Sequence, residues 1–527
     1  MNTKFIKNIT GMALCGSFLL SAPSCTDKFE EFNTDPQSPT TDQMQGDNAA
    51  TASLISAMIP VMVQGQENNA QMLDMMIGNE YGGMISNKNA WGTDRYYATY
   101  NPPVNWSGNM FDTSFPQIYT SYFQIKRITE GKGVIMHWAN LLRVVGSIRI
   151  SDCYGPIPYS QITGSEYAVA YDDMPDLYNQ MFDDIDDAIT GLKEAAASGS
   201  STLYANADYI YQGNFTKWVK FANTIKLRMA LRLVNVNPTL AQQKAEEAVN
   251  DAYGVITDPS DAAWSSFITQ RNPFNLIGES WGEIRVNANI TSYMNGYKDP
   301  RLSIYAKEAT THDSKGNAYV GARSGVYHYD YYGDSAYAST SKLNIDEQDK
   351  LLALSASESW FMRAEGALRG WNMGGSAKEL YEKGIEVSMQ ERGASIGNYL
   401  SSKNTPARHY DIVQSSFSID AVSSVTPAWD DNASFETNLE RIMVQKWLGN
   451  FPNGWETWAD FRRTGYPKFF PVVDNKSTDG VTSARGMRRL PYPQSEFNTN
   501  EANVKAAQQL LGGPDTGATD LWWAKKD

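Results

Sequence analysis

The chain has 527 residues, 42% of them hydrophobic and 20% charged, with 14 Trp, 29 Tyr and 20 Phe. That is ample apolar material for a large buried core and excludes a disordered polymer. A formal net charge of -14 argues against a nucleic-acid partner, because phosphate binding needs clustered Lys and Arg.

Lys4 and Lys7 precede an apolar stretch over 9–20, too short for a bilayer span of about 20 residues, and Ala22, Pro23 and Ser24 lead to Cys25. This pattern is that of a secretory leader and resembles a bacterial lipoprotein signal, in which the cysteine thiol is acylated and becomes the first residue. It departs from that signal in having Ala22 where Leu is usual. Several acyl chains on Cys25 would hold the protein at a membrane where one would not. Asp27, Glu30 and Glu31 behind it resemble the surface-export signal of Bacteroidetes-type lipoproteins. Residues 34–45, with Pro36 and Pro39, read as an extended linker. The expected organisation is a signal peptide over 1–24, an acylated N-terminus and linker over 25–45, and a single domain over 46–527. Nothing else approaches a transmembrane length. With Cys15 in the leader and Cys25 acylated, Cys153 is left alone beside the apolar run 141–150. It reads as a small core residue, and no disulfide framework is expected.

Residues 175–192 predict an amphipathic helix, with Tyr178, Phe182, Ile185, Ile189 and Leu192 on one face and Asp173 as its cap. Asp183, Asp184, Asp186 and Asp187 beside that stripe read as a solvated face rather than a calcium site. Residues 215–234 form a second helix, with Trp218, Ala222, Ile225, Met229 and Leu233 inward. Residues 355–369, ended by Gly370, and a helix opened by a Ser376/Glu379 capping box make a helical hairpin of tetratricopeptide size, about 34 to 40 residues. Trp218 and Trp360, on helical stripes, read as core. Further helices are expected at 438–451 and 456–463. Residues 78–112 and 254–350 are rich in Gly, Asn, Ser, Tyr and Trp without sustained periodicity, with a strand expected around 326–332. Long ordered loops on a helical scaffold are where binding tends to reside.

Five stretches in order now become recognisable: FEEFNTDPQSPT at 29–40, SDCYGPIPYSQI at 151–162, NGYKDPRLSIYA at 295–306, GWETWADFRRTGYP at 454–467 and RRLPYPQSEFNTN at 488–500. Together with the leader and the paired helices, they resemble the SusD/RagB family of outer-membrane nutrient-binding lipoproteins. The resemblance implies a mostly α fold of tetratricopeptide-like helix pairs, with long irregular loops and a few short β-strands on the other face. It implies capture of an oligosaccharide at the exterior of the outer membrane, and a partner, a SusC-type TonB-dependent transporter. A peptide-binding member of the same family is one alternative, and a surface glycosidase another. Arg489, Tyr492 and Pro493 are expected to lock the C-terminal segment onto the helices, and Asp460, Arg462 and Arg463 to pair charges at a helix end.

Catalytic signatures are absent. The histidines, 137, 312, 328 and 409, have no metal-ligand spacing, and there is no Gly-rich phosphate loop or G-x-S-x-G elbow. Neither a cofactor nor a metal is indicated, and no pair of carboxylates stands out for glycoside hydrolysis. What remains is aromatic. Sugar C–H faces pack on Trp and Tyr while hydroxyls need fixed polar partners. The ligand-binding candidates are therefore Asn89, Trp91, Arg95, Tyr97 and Trp106 in the first loop region, Trp281 in the second and Tyr329 in the third.

Overall fold

Successive helices build one side of the protein. In the computed structural model, which describes residues 49–89, 96–199, 204–326 and 337–525, they are α1 (Asn109–Ile128), α2 (Val134–Tyr154), α3 (Met174–Ser198), α4 (Phe215–Arg232) and α5 (Pro238–Val249). Each packs on the next. Then come α6 (Ala288–Tyr297), α7 (Ala356–Leu368), α8 (Ala377–Glu391), α9 (Phe435–Gly449) and α10 (Trp455–Thr464). The α7–α8 hairpin packs on α9, and α4 joins the two groups through α7. Residues 51–527 form one compact unit.

Local chemistry sets the boundaries. Asp173 caps α3 by accepting from the Asp176 N–H at 3.0 Å, and the expected stripe from Tyr178 to Leu192 is buried. Ser376 and Glu379 form the reciprocal capping box of α8. A Cβ on Gly384 would lie 2.7 Å from the Phe361 ring, so only glycine lets α7 and α8 approach this closely. Trp218 is fully buried and donates to Asp208 at 2.7 Å. Trp360 is only half-buried, beneath the Arg363 guanidinium at 4.3 Å. Cys153 is a buried free thiol, pushed well above its ordinary range by burial.

Two expectations on helices need correction. Helices α1, α2, α5 and α6 appear where none was assigned, the last inside the stretch 254–350 read as irregular. Helix α1 carries Pro116 in its interior, which reads as a breaker. Helix α2 is buried almost all round from Ile135 to Tyr154, so it shows no amphipathic stripe. The acidic face of α3 is also less solvated than expected. Asp184 bonds Arg143 and the Tyr159 hydroxyl, each at 2.6 Å, and Asp186 pairs with Lys226 and Lys244, each at 2.7 Å. Helix α2, carrying Arg143, and helix α4, carrying Lys226, lie against it.

The irregular side holds two short antiparallel pairs. Strand β1 (Ile85–Asn87) pairs with β3 (Ile284–Val286), and β2 (Ala263–Ser265) with β4 (Leu351–Leu354). Residues 327–332 of the expected strand lie outside the described residues, and Val326 sits in a turn.

The motif stretches do structural work inside the core. On α10, Glu456 receives both guanidinium nitrogens of Arg232 at 2.8 and 2.6 Å and Lys446 at 3.0 Å. Burial alone would raise this carboxyl, but Arg232, Lys446 and Arg228 hold it well below the usual range. Arg463 grips Glu365 of α7 at 2.5 and 2.7 Å and Asp460 at 2.8 Å. Gly454 precedes α10 where a Cβ would meet the Gly78 carbonyl at 2.4 Å, so the two backbones touch. Arg489 donates twice to the Tyr154 carbonyl at 3.1 and 2.8 Å, and Tyr492 donates to that of Pro156 at 2.9 Å. The C-terminal segment is thereby tied to the end of α2. Among the described residues no helix is long and apolar enough to cross a membrane.

Candidate functional site

A cavity of about 260 Å³ opens where several distant stretches meet: 80–83, Tyr100, Asn289, Ser324, Val422, Trp458 with Phe461, 465–472 and 483–487. Backbone bonds hold them together. The Val473 N–H donates to the Ser324 carbonyl at 2.9 Å, and Lys476 N–H to that of Thr99 at 2.8 Å. Asn289, near the start of α6, accepts from the Phe470 N–H at 2.7 Å. Tyr293 donates to the Lys468 carbonyl at 2.9 Å. Tyr100 adopts a left-handed conformation, φ 59°, which turns the chain at the cavity wall.

The lining mixes flat apolar rings with fixed polar groups. Tyr100, Phe461, Phe469 and Phe470 supply rings, while Asn289, Ser324, Ser483 and Lys468 supply hydrogen-bonding groups. Lys468 is half-exposed and lies 3.1 Å from Glu440. One lining residue is a carboxylate, Glu80, on the turn after a π-helical segment (Ala70–Asn79). Its Oε2 accepts from the backbone N–H and side-chain amide of Asn87, both at 2.8 Å. Its Oε1 is sealed from solvent without a hydrogen bond. Burial raises its pKa to about 6, with Ser324 and Asn87 pulling the other way.

The sequence-based candidates fall at different depths. Asn89 is half-buried and accepts from Lys88 Nζ at 3.3 Å. Trp281 is exposed, at 39%. The structure brings these two to the same end of the β1–β3 ladder, where the Lys88 N–H donates to the Glu283 carbonyl at 2.9 Å. Asn87 ties this end to Glu80. Tyr97 lies inside the core, 3% exposed, its ring 6.3 Å from Tyr81; it sits beneath the face rather than on it. Trp106 is half-buried against the core. Trp91, Arg95 and Tyr329 lie outside the described residues.

Sequence reasoning missed Glu80, Asn289, Lys468, Phe469 and Phe470. The run Lys468-Phe469-Phe470 after the helix-stopping Gly465 and Pro467 offered a signal: paired aromatics on a segment with no regular periodicity. Glu80 offered none, since its role comes from segments far away in the sequence.

A profile for the SusD-like family, described as SusD and RagB outer membrane lipoprotein, matches residues 31–524. The chain belongs to the SusD/RagB family. Among solved structures, a SusD-like protein from Bacteroides thetaiotaomicron is 38% identical, with 90% of this chain and 99% of that one covered and a TM-score of 0.86. A chitin-binding SusD homolog from Flavobacterium johnsoniae is 34% identical over 92% of this chain and 99% of its own, TM-score 0.84. A SusD homolog from Bacteroides ovatus is 36% identical over 91% and 100%, TM-score 0.84. No curated protein gives a significant match. The mostly helical fold expected of a SusD-like chain is the one observed.

Proposed function

We propose that this SusD-like protein captures oligosaccharides at the cell surface, held there by lipid on Cys25, and passes them to a SusC-type TonB-dependent transporter. The observation that carries the reading is the lining of the 260 Å³ cavity: aromatic rings beside amide, hydroxyl and ammonium groups, with Glu80 as its one carboxylate among the described lining residues. Rings take up the C–H faces of a sugar and the polar groups fix its hydroxyls. Hydrolysis of a glycosidic bond uses a pair of carboxylates flanking it, so this lining supports binding without turnover. Trp281, exposed at the end of the β1–β3 ladder, offers a further flat ring to a ligand. The chitin-binding relative from Flavobacterium johnsoniae makes N-acetylated glucosaccharides the first ligands to try.

Titration calorimetry of the purified protein with chitooligosaccharides, other glycan oligomers and short peptides tests the reading. Saturable binding of a glycan, with no released product on chromatography, is the expected result. Binding of peptides alone, or turnover that one carboxylate substitution abolishes, would overturn it. Co-purification of a large barrel protein from detergent extracts tests the transporter.

A further inference from the structure

An open groove of about 350 Å³ shares no lining residue with the first cavity. Helix α1 forms one wall, the stretch 158–169 another, and the short helix Gln494–Thr499 with Asn500 a third. On α1, Phe111, Phe115, Tyr119 and Phe123 recur every four residues, and successive ring centres lie 4.3, 5.7 and 5.9 Å apart. The first three line the groove together with Ile162 and Val169. Tyr167 lines it too and is 91% exposed. Its loop is nevertheless fixed. The Glu166 carboxylate accepts from the N–H groups of Thr163, Gly164 and Ser165 at 2.9, 3.0 and 3.3 Å. A Cβ on Gly164 would lie 3.0 Å from the Phe123 ring, so the turn rests on α1. A large aromatic held out on a fixed loop, beside an apolar groove, is the kind of anchor that protein interfaces use.

The polar groups select the partner. The Tyr119 hydroxyl is sealed from solvent. The Asn500 amide donates to the Val169 carbonyl at 2.8 Å and to Glu496 at 3.0 Å, and the Thr499 hydroxyl donates to the Ser495 carbonyl at 2.8 Å. A sugar would find few partners here for its hydroxyls. Proline has no N–H, and its ring packs on aromatic faces, so a polyproline segment asks for little hydrogen bonding. From Phe111 to Tyr119 the helix rises about 12 Å, the length of about four polyproline residues. Charge makes the second selection. No Lys or Arg is among the described lining residues. Glu496 lines the groove, Asp112 lies beside it through Ser495, whose hydroxyl donates to it at 2.6 Å, and Glu166 adjoins Tyr167. None of the three has a cation within ion-pair distance among the described residues. We propose that this groove docks an extended, proline-rich polypeptide segment flanked by Lys or Arg, with its prolines against Phe115 and Tyr167 and its cationic end at Glu496 and Asp112. The chain's own Pro36–Pro39 stretch has the wrong sign for it, since Glu30, Glu31 and Asp35 precede it. The proposal does not depend on what the first cavity binds.

Fluorescence anisotropy tests it with a labelled peptide of alternating Pro and Leu ending in paired arginines, read against the same peptide ending in paired glutamates. Tyr167→Ala removes an exposed ring and leaves both the core and the first cavity intact, so it separates peptide held here from peptide held there. Glu496→Gln removes the charge, and its carbonyl can still accept from the Tyr171 hydroxyl, which lies at 2.7 Å. The basic peptide should bind saturably, Tyr167→Ala should weaken it about tenfold, and Glu496→Gln should narrow the difference between the two peptides. No saturable binding of the basic peptide, equal affinity for the acidic one, an unchanged affinity in Tyr167→Ala, or displacement of the peptide by a chitooligosaccharide would overturn the proposal.

Discussion

Replacing Glu80 by Gln tests the electrostatics of the first cavity. Its carboxyl is raised from an ordinary 4.5 to about 6, chiefly by burial. In the unfolded chain the proton leaves near 4.5, so between 4.5 and 6 the folded protein binds the extra proton. Stability therefore falls as pH rises through that window, and the loss persists in full above it. The difference of about 1.5 in pKa corresponds to about 2 kcal/mol. Gln is shaped like the protonated acid, and its carbonyl can still accept from Asn87. The variant should match the wild type near pH 4 and exceed it by about 2 kcal/mol near pH 7.5. Urea unfolding followed by tryptophan fluorescence at the two pH values measures this. A stability difference between variant and wild type that does not change with pH, or that favours the wild type more at the higher pH, would refute the reasoning.

Other outcomes follow from the same contacts. Trp281→Ala should weaken oligosaccharide binding in calorimetry while shifting stability by no more than about 0.5 kcal/mol, since the ring is exposed. Trp106→Ala should instead lose about 1–3 kcal/mol in a denaturation curve, because the ring packs against the core. Arg463→Ala leaves Glu365 buried without its main cation, and Asp460 with Lys446 alone, and should cost about 3–5 kcal/mol. Glu365 itself, which burial would raise but Arg463 and Arg369 hold down to about 2, contributes stability that is complete above 4.5. That contribution is lost as pH falls toward 2, so acid melts of the wild type should steepen there more than those of a Glu365→Gln variant. Cys25→Ser should move the protein from the membrane fraction to the soluble fraction, and unchanged membrane attachment would count against the lipid anchor.

Much of the scaffold was legible because its signals are local. Asp173, Ser376 with Glu379, and Gly465 mark helix ends through bonds and backbone angles within a few residues, and the stripe from Tyr178 to Leu192 repeats at helical spacing. Helix α2 was hidden because burial on every side erases the stripe, and α1 because Pro116 imitates a stop. Residue type and loop context pointed to Trp281 and Asn89, neither of which lines the cavity, and to Tyr97, whose ring packs inward on Tyr81. Residue type does not tell an aromatic that binds from one that pins its loop.

The sequence by itself determined the leader pattern, the helical hairpins and the family, each of which rests on order and spacing along the chain. Only the tertiary structure decided that Glu80, Asn289, Ser324, Phe470 and Ser483 share one cavity. That placement depends on contacts between segments hundreds of residues apart, where burial sets the carboxyl of Glu80 and backbone bonds from 473 to 324 and from 476 to 99 close the wall.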